Sequence, residues 1–232
     1  MNSEKISKWI AQKVKEAGAK GIVIGLSGGV DSSVVAVLSK KAVGNNVLGV
    51  IMPCHSNPSD MEHAKALAKK FGIKTQIVDL APLYDMILKT FPSGNNIAKA
   101  NIKPRLRMLT LYYFANTNGY LVAGTGNKSE EMVGYFTKYG DGGVDILPIG
   151  DVLKKDVIAL AQELGIPQEI INKPPSAGLW DGQTDEKEMG ITYEQLDSIL
   201  ESNDFRGELG KKVKTMMEKS EHKRRQPEVC KL

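Results

Sequence analysis

Cysteine is scarce in this chain: there are two in 232 residues, Cys54 and Cys230, far apart and in no metal-like spacing. That excludes a disulfide framework and a structural zinc site, and both residues read as reduced thiols. Cys54 has no recognisable activating partner nearby, so it reads as a buried thiol rather than a nucleophile. No apolar run approaches membrane-spanning length. Met1 to Glu16 reads as an amphipathic helix with Ile6, Trp9, Ile10 and Val14 on one face rather than as a signal peptide, so a cytoplasmic protein is expected. Internal repeats and low-complexity segments are also lacking. The formal charge is only +4. The late basic residues, Lys211-Lys212-Val213-Lys214 and His222-Lys223-Arg224-Arg225, are interrupted by Glu218 and Glu221. They read as a solvated helix face, and small polyanionic substrates suit the mild positive balance.

What remains is an ordinary soluble composition, 41% hydrophobic and 25% charged, with length for one domain over residues 1–232 and a sizeable core. Strand-like runs at Gly21 to Leu26, Val47 to Met52, Lys74 to Leu80 and Tyr120 to Thr125 alternate with helical segments from Asp31 to Val43, Ser59 to Phe71 and Pro104 to Asn118. This alternation predicts a Rossmann-like, doubly wound parallel α/β sheet with flanking helices, which binds ligands beyond the carboxyl ends of its strands. Phe71-Gly72 and Asn118-Gly119 mark helix ends, and Pro104 suits a first helical turn. The second half differs. Gly134 to Gly143 and Lys173 to Gly190 show few signs of regular structure, yet they carry Tyr135, Phe136, Tyr139 and Trp180, so they read as binding loops that order around substrate. Thr192-Tyr193-Glu194-Gln195 has capping-box spacing and opens a C-terminal helical region of about 192–225.

The segment Gly25-Leu26-Ser27-Gly28-Gly29-Val30-Asp31-Ser32-Ser33 joins the first strand to the first of these helices. Gly28 and Gly29 are expected at positive φ, letting the backbone approach a ligand, while the helix's first-turn N–H groups and dipole attract an anion. Ser27, Ser32 and Ser33 add hydroxyl donors. Asp31 belongs in such a site if a cation separates it from the phosphates, which points to a magnesium nucleotide. The loop lacks the lysine of the commoner Gly-x-x-x-x-Gly-Lys-Ser/Thr cradle. Its order resembles the loop of ATP pyrophosphatases, enzymes that adenylate a substrate and release pyrophosphate.

Further blocks occur in order: Asn101-Ile102-Lys103-Pro104-Arg105-Leu106-Arg107, Thr125-Gly126-Asn127-Lys128-Ser129-Glu130, Gly134 through Gly143, Lys173-Pro174-Pro175-Ser176-Ala177, Gly182-Gln183-Thr184-Asp185-Glu186 and His222-Lys223-Arg224. With the loop, this set resembles the ammonia-dependent NAD synthetases, over about residue 20 to residue 225. The resemblance implies ATP-dependent activation of the nicotinate carboxylate of deamido-NAD, with ammonia then displacing AMP to give NAD. Carboxylate attack on a triphosphate demands charge neutralisation, which magnesium and lysine can supply.

By that resemblance Asp31 and Glu130 are magnesium ligands. Glu131 is the rival, but neighbouring helical residues point about 100° apart, and the motif selects Glu130. Residues Gly25 to Ser32, Thr125, Lys154 and Ser176 match ATP-contacting positions, with Asp31, Glu130 and Lys154 carrying catalysis; read alone, Lys154 is a surface lysine at a helix start. Arg105, Lys138, Asp145, His222 and Lys223 match positions for the dinucleotide, although Pro104 departs from the residue usual before Arg105. Asp145 is also a candidate acceptor for the proton that ammonia loses. No glutaminase domain is recognisable, so free ammonia is the expected nitrogen source. The resemblance further implies a homodimer, for which Leu109, Leu111, Tyr112, Tyr113 and Phe114 could serve both core and interface. Another ATP pyrophosphatase, tRNA-modifying or GMP-forming, and a non-enzymatic nucleotide-binding regulator are the alternatives.

Overall fold

A computed structural model describes residues 3–176, 178 and 182–231; Ala177 and Trp180 of the sequence reading lie outside them. In chain order the elements are α1 (Ser3–Glu16), β1 (Gly21–Gly25), α2 (Val30–Val43), β2 (Val47–Ile51), α3 (Pro58–Phe71), β3 (Lys74–Ile77), α4 (Ala81–Thr90), α5 (Asn96–Ala100) and α6 (Ile102–Asn118). There follow β4 (Tyr120–Ala123), α7 (Lys128–Val133), α8 (Lys154–Glu163), α9 (Gln168–Ile171), α10 (Asp185–Met189), α11 (Tyr193–Ser202) and α12 (Gly207–Arg224).

The strands form a parallel sheet in the order β3-β2-β1-β4, with Ile24 of β1 opposite both Gly49 and Ala123. Side chains alternate across β1, which is why its apolar run needs cover on two faces. Ile22 and Ile24 join a core with Ile10 of α1, Val34 and Leu38 of α2, Leu67 of α3 and Leu160 of α8. Val23 points the other way, packing with Val50, Leu106, Ala115 and Val122. The sheet is therefore doubly wound, as the strand and helix alternation predicts. Strand order reverses between β1 and β4, so the crevice for a ligand opens beyond Gly25 and Ala123.

Three expectations need correction. The regular strand from Lys74 ends at Ile77 rather than Leu80, although Val78 N–H and Leu80 N–H still donate to the Ile51 and Pro53 carbonyls before Asp79 accepts the Ala81 N–H at the start of α4. The 173–190 stretch is not irregular throughout: α10 occupies Asp185–Met189 and ends at left-handed Gly190. Of the two loop glycines only Gly28 has positive φ, at 77°, whereas Gly29 is extended at −92° and precedes the first turn of α2. Gly28 is doubly constrained, since a Cβ there would lie 2.2 Å from the Asp60 carbonyl oxygen of α3. Pro104 sits buried in the first turn of α6 without disrupting it, because the first turn needs no proline N–H.

The Thr192–Gln195 capping box is present at α11. α11 and α12 pack with α7 and α10 around Val133, Met189, Ile191, Tyr193, Leu196 and Val213, a small second core beside the end of the sheet. Cys54 is buried, and burial pushes its thiol pKa up, consistent with an inert side chain. Among the described residues no helix is long and apolar enough to cross a membrane.

Candidate active site

The phosphate loop closes on itself. The Ser27 and Ser32 hydroxyls lie 2.9 Å apart, Gly29 N–H donates to Ser27 Oγ, and both Ser32 and Ser33 hydroxyls donate to the Gly29 carbonyl. Ser33 is fully buried, so its hydroxyl braces the loop instead of meeting a ligand as expected. The braced loop still leaves the first-turn N–H groups of α2, which have no partner within the helix, facing the crevice end of β1.

Asp31, in that first turn, is the meeting point with the second half of the chain. Asn127 ends the loop after β4, where it caps α7 in a capping box with Glu130, and its side-chain amide donates to Asp31 Oδ1 at 2.9 Å. Lys154, the first residue of α8, places its Nζ 2.5 Å from Asp31 Oδ2 and 3.6 Å from Glu130 Oε1. Its side chain is 5% exposed and lies over the Tyr193 ring, 5.0 Å from the centroid, so the surface-lysine alternative fails. The Tyr193 hydroxyl reaches Glu130 Oε1 at 3.1 Å and Asp185 Oδ2 at 3.2 Å.

The electrostatics follow from burial. Desolvation, and then the charge of Asp31, push Glu130 up to about 8 against the opposing pull of Lys154. Burial alone would lower the Lys154 pKa, but Asp31 and Glu130 outweigh it and hold the ammonium protonated. The cluster thus gathers carboxylates around one fixed cation, an arrangement that suits a divalent ion. Glu131 does not enter it; desolvation raises it to about 7, and a Cβ on Gly126 would touch its carboxylate.

A second constellation forms where α6, the 134–143 loop and the end of α12 converge. Arg105 is exposed and donates to the Lys138 carbonyl at 3.3 Å, and Lys138 Nζ donates to the His222 carbonyl at 2.6 Å. Lys223 Nζ donates to the carbonyls of Gly134 and Phe136, both at 2.8 Å. Arg107 turns inward to Met52 and Ser56, as the two-residue offset from Arg105 requires. The oxygens of Asp145 accept from Val122 N–H and the Tyr112 hydroxyl. Thr125 is half-buried at the crevice beyond β4, and Ser176 is exposed, its hydroxyl accepting from Gly178 N–H.

Residues 2–227 match the family model described as NAD synthase. The chain belongs to the NAD synthase family. It is 51% identical to the NH(3)-dependent NAD(+) synthetase of Carboxydothermus hydrogenoformans, over 98% of this chain and 96% of that protein. The structure titled NMN synthetase from Francisella tularensis superposes with a TM-score of 0.94 at 36% identity, covering 99% of this chain and 97% of the other. The NH3-dependent NAD synthetase from Campylobacter jejuni, in complex with the nitrate ion, gives 0.85 at 31% identity, covering 99% and 97%.

In this NAD synthase fold the sequence reading missed three residues of the Lys154 cluster. Asn127 and Asp185 lie inside motif blocks that were recognised without a role for either. Tyr193 was read as a helix start, and nothing in its spacing shows that its ring and hydroxyl would meet Lys154 and Glu130. Asp185, 5% exposed, also accepts from the Tyr135 hydroxyl, tying the 134–143 loop to the cluster.

Proposed function

We propose that this chain amidates the nicotinate carboxylate of deamido-NAD with ammonia, using ATP and giving NAD, AMP and pyrophosphate. The observation that carries the reading is the buried Asp31–Lys154–Glu130 cluster at the mouth of the phosphate loop, in a chain with near full-length relatives named for that reaction. The family match sets aside the tRNA-modifying and GMP-forming alternatives.

The substrate carboxylate oxygen attacks the α-phosphorus of ATP; an O–P bond forms and the bond to pyrophosphate breaks. Lys154 holds the negative charge of the departing group as a point charge. Ammonia then adds to the acyl carbon, the C–O bond to AMP breaks, and one proton is lost. Asp145, the candidate acceptor for that proton, already accepts hydrogen bonds at both oxygens, from the Tyr112 hydroxyl and Val122 N–H.

Asp31 and Glu130 fit magnesium. They are hard oxygen donors within reach of the same lysine amine, and Glu130 is raised by its burial and then by the charge of Asp31 beside it. Magnesium there would neutralise triphosphate charge. Gly25 to Ser32, Thr125 and Ser176 would line the nucleotide, and Arg105, Lys138, His222 and Lys223 the dinucleotide phosphates. A homodimer is supported by the exposed apolar Met86, Phe91, Ile97, Leu109 and Tyr113 of the α4–α6 region. Leu111, Tyr112 and Phe114 pack on the core instead.

The likeness to an NMN synthetase structure favours a second reading, the same chemistry on the nicotinate mononucleotide. Purified protein supplied with Mg-ATP, ammonium and either nucleotide decides. Deamido-NAD should give the higher kcat/KM; a preference for the mononucleotide would establish the second reading, and no AMP with either would refute both. Glutamine in place of ammonium should support little turnover.

A further inference from the structure

Lys154 owes its place to the start of α8, and that start has no cap of its own: the residue before it is Leu153, which has no side-chain oxygen. Its first N–H groups are satisfied from two other helices. Lys154 N–H donates to Ser129 Oγ of α7 at 3.0 Å, and Lys155 N–H donates to Asp197 Oδ2 of α11 at 2.9 Å. The Ser129 hydroxyl in turn donates to Asp197 Oδ1. Ser129 and Asp197 are 0% and 1% exposed, so water does not compete for these bonds.

We infer that Asp197 is a positioning residue for catalysis, which sets Lys154 and Glu130 relative to each other by tying α7, α8 and α11 together at one buried carboxylate. The geometry is specific. Ser129 immediately precedes Glu130, so the bond that fixes α8 also fixes the helix carrying the second carboxylate of the site. Tyr193 and Asp197 lie four apart on α11 and so share a face. One end of that face holds the Lys154 backbone through Ser129, while the other holds its ammonium against the Tyr193 ring and Glu130. A carboxylate at a helix N-terminus is also favoured by the helix dipole, which makes an acid from a neighbouring helix an effective cap. Neither Asp197 nor Ser129 hydrogen-bonds the Lys154 ammonium or the Asp31 and Glu130 carboxylates; they act on the helix backbones that carry Lys154 and Glu130.

This rests on the function proposed above for its kinetic consequence, and on the structure alone for its geometric one, so two readouts separate the cases. In the full chain, trace acetylation of lysine amines followed by mass spectrometry should show Lys154 several-fold more reactive in Asp197→Ala than in wild type. Lys103, buried on the opposite face of the sheet, should be unchanged, and Asp197→Asn, which keeps one acceptor oxygen, should fall between. Turnover by Asp197→Ala should drop roughly tenfold to a hundredfold with the ATP KM within about twofold, as expected for misplacement of a group that acts in the transition state. In a Lys154→Ala background the same substitution should cost clearly less than in the wild type, leaving only the share that runs through the placement of Glu130. Unchanged Lys154 labelling in Asp197→Ala, or a rise shared equally by Lys103, would overturn the proposal. If Asp197→Ala does not fold, Ser129→Ala is read by the same labelling criterion. An inactive wild-type enzyme would count against the function, and the labelling would still decide the positioning.

Discussion

The two walls of the site are held in place by different forces. The β1–α2 wall, from Gly21 to Val43, rests on apolar packing: Ile22, Ile24, Val34, Val35 and Leu38 are buried, and the loop between strand and helix braces only itself. The facing wall, from Asn127 to Asp197, has short helices joined by irregular chain, and polar side chains connect its pieces: Asn127 to Asp31, Ser129 to Asp197, and Tyr193 to Glu130 and Asp185. Apolar packing is non-directional and tolerates adjustment, whereas a buried polar link fails when one partner is removed and leaves the other unsatisfied. Apart from Asp31, which the polar links of the facing wall reach, the first wall should therefore respond to mutation mainly in stability, and the second mainly in the rate of the chemistry.

That comparison is tested most severely at Lys154, which both walls share. Lys154→Ala should reduce pyrophosphate release by about a hundredfold or more, the usual cost of losing a preorganised charge at a transition state. Asp31→Asn and Glu130→Gln should each cost a similar factor of about a hundred in rate at ordinary magnesium levels, and excess EDTA should abolish turnover of the wild type. Glu131→Gln, one residue along and outside the cluster, is the control, with near-normal rates expected.

Smaller effects are expected where the dinucleotide is proposed to bind. Neutralising Arg105, Lys138 or Lys223 should raise the dinucleotide KM by roughly tenfold with little change in the ATP KM, from charge-assisted contacts worth about 1.5–3 kcal/mol. Lys223→Ala should also lower stability, because its amine holds the Gly134 and Phe136 carbonyls, whereas Lys219→Ala on the same helix should do neither. Equal small effects on KM from both would reduce the end of α12 to a structural strap.

On the apolar wall the expected change is in folding. Gly28→Ala puts a methyl against the Asp60 carbonyl at positive φ, and chemical denaturation should show a loss of about 1–3 kcal/mol. Gly29→Ala, extended and facing only the Ser27 hydroxyl at 3.3 Å, should lose under about 1 kcal/mol. If Gly29→Ala were the more damaging, the loop's conformation would differ from the one described.

The same contrast explains what could be read from the sequence. Alternating apolar runs and glycine-marked helix ends are local signals, and the four strands, the helices α2, α3 and α6 and the position of the phosphate loop followed from them, whereas α4, α5 and α7 did not. The residues of the polar wall are recognisable only as motif letters. Glu130 and Lys154 could be placed by resemblance to NAD synthetases, but the partners that fix them could not. Tyr193 and Asp197 lie within an amphipathic helix whose spacing shows which face is buried without showing that it meets α8. Asp185 was hidden in a stretch read as loop, because a five-residue helix is too short to show a periodicity. The burial of Lys154 ran against its residue type, since lysine is rarely enclosed without a partner, and its partners come from positions 123 and 24 residues away.

The central claim is that the Asp31–Lys154–Glu130 cluster serves the adenylation of a carboxylate. The most direct test follows the atoms. Deamido-NAD carrying heavy oxygen in its nicotinate carboxylate is turned over with ammonium and Mg-ATP, and the products are weighed by mass spectrometry. Adenylation predicts one labelled oxygen in AMP and none in pyrophosphate, because the bond broken by ammonia leaves the carboxylate oxygen on phosphorus. Unlabelled AMP, or label in pyrophosphate, would contradict it.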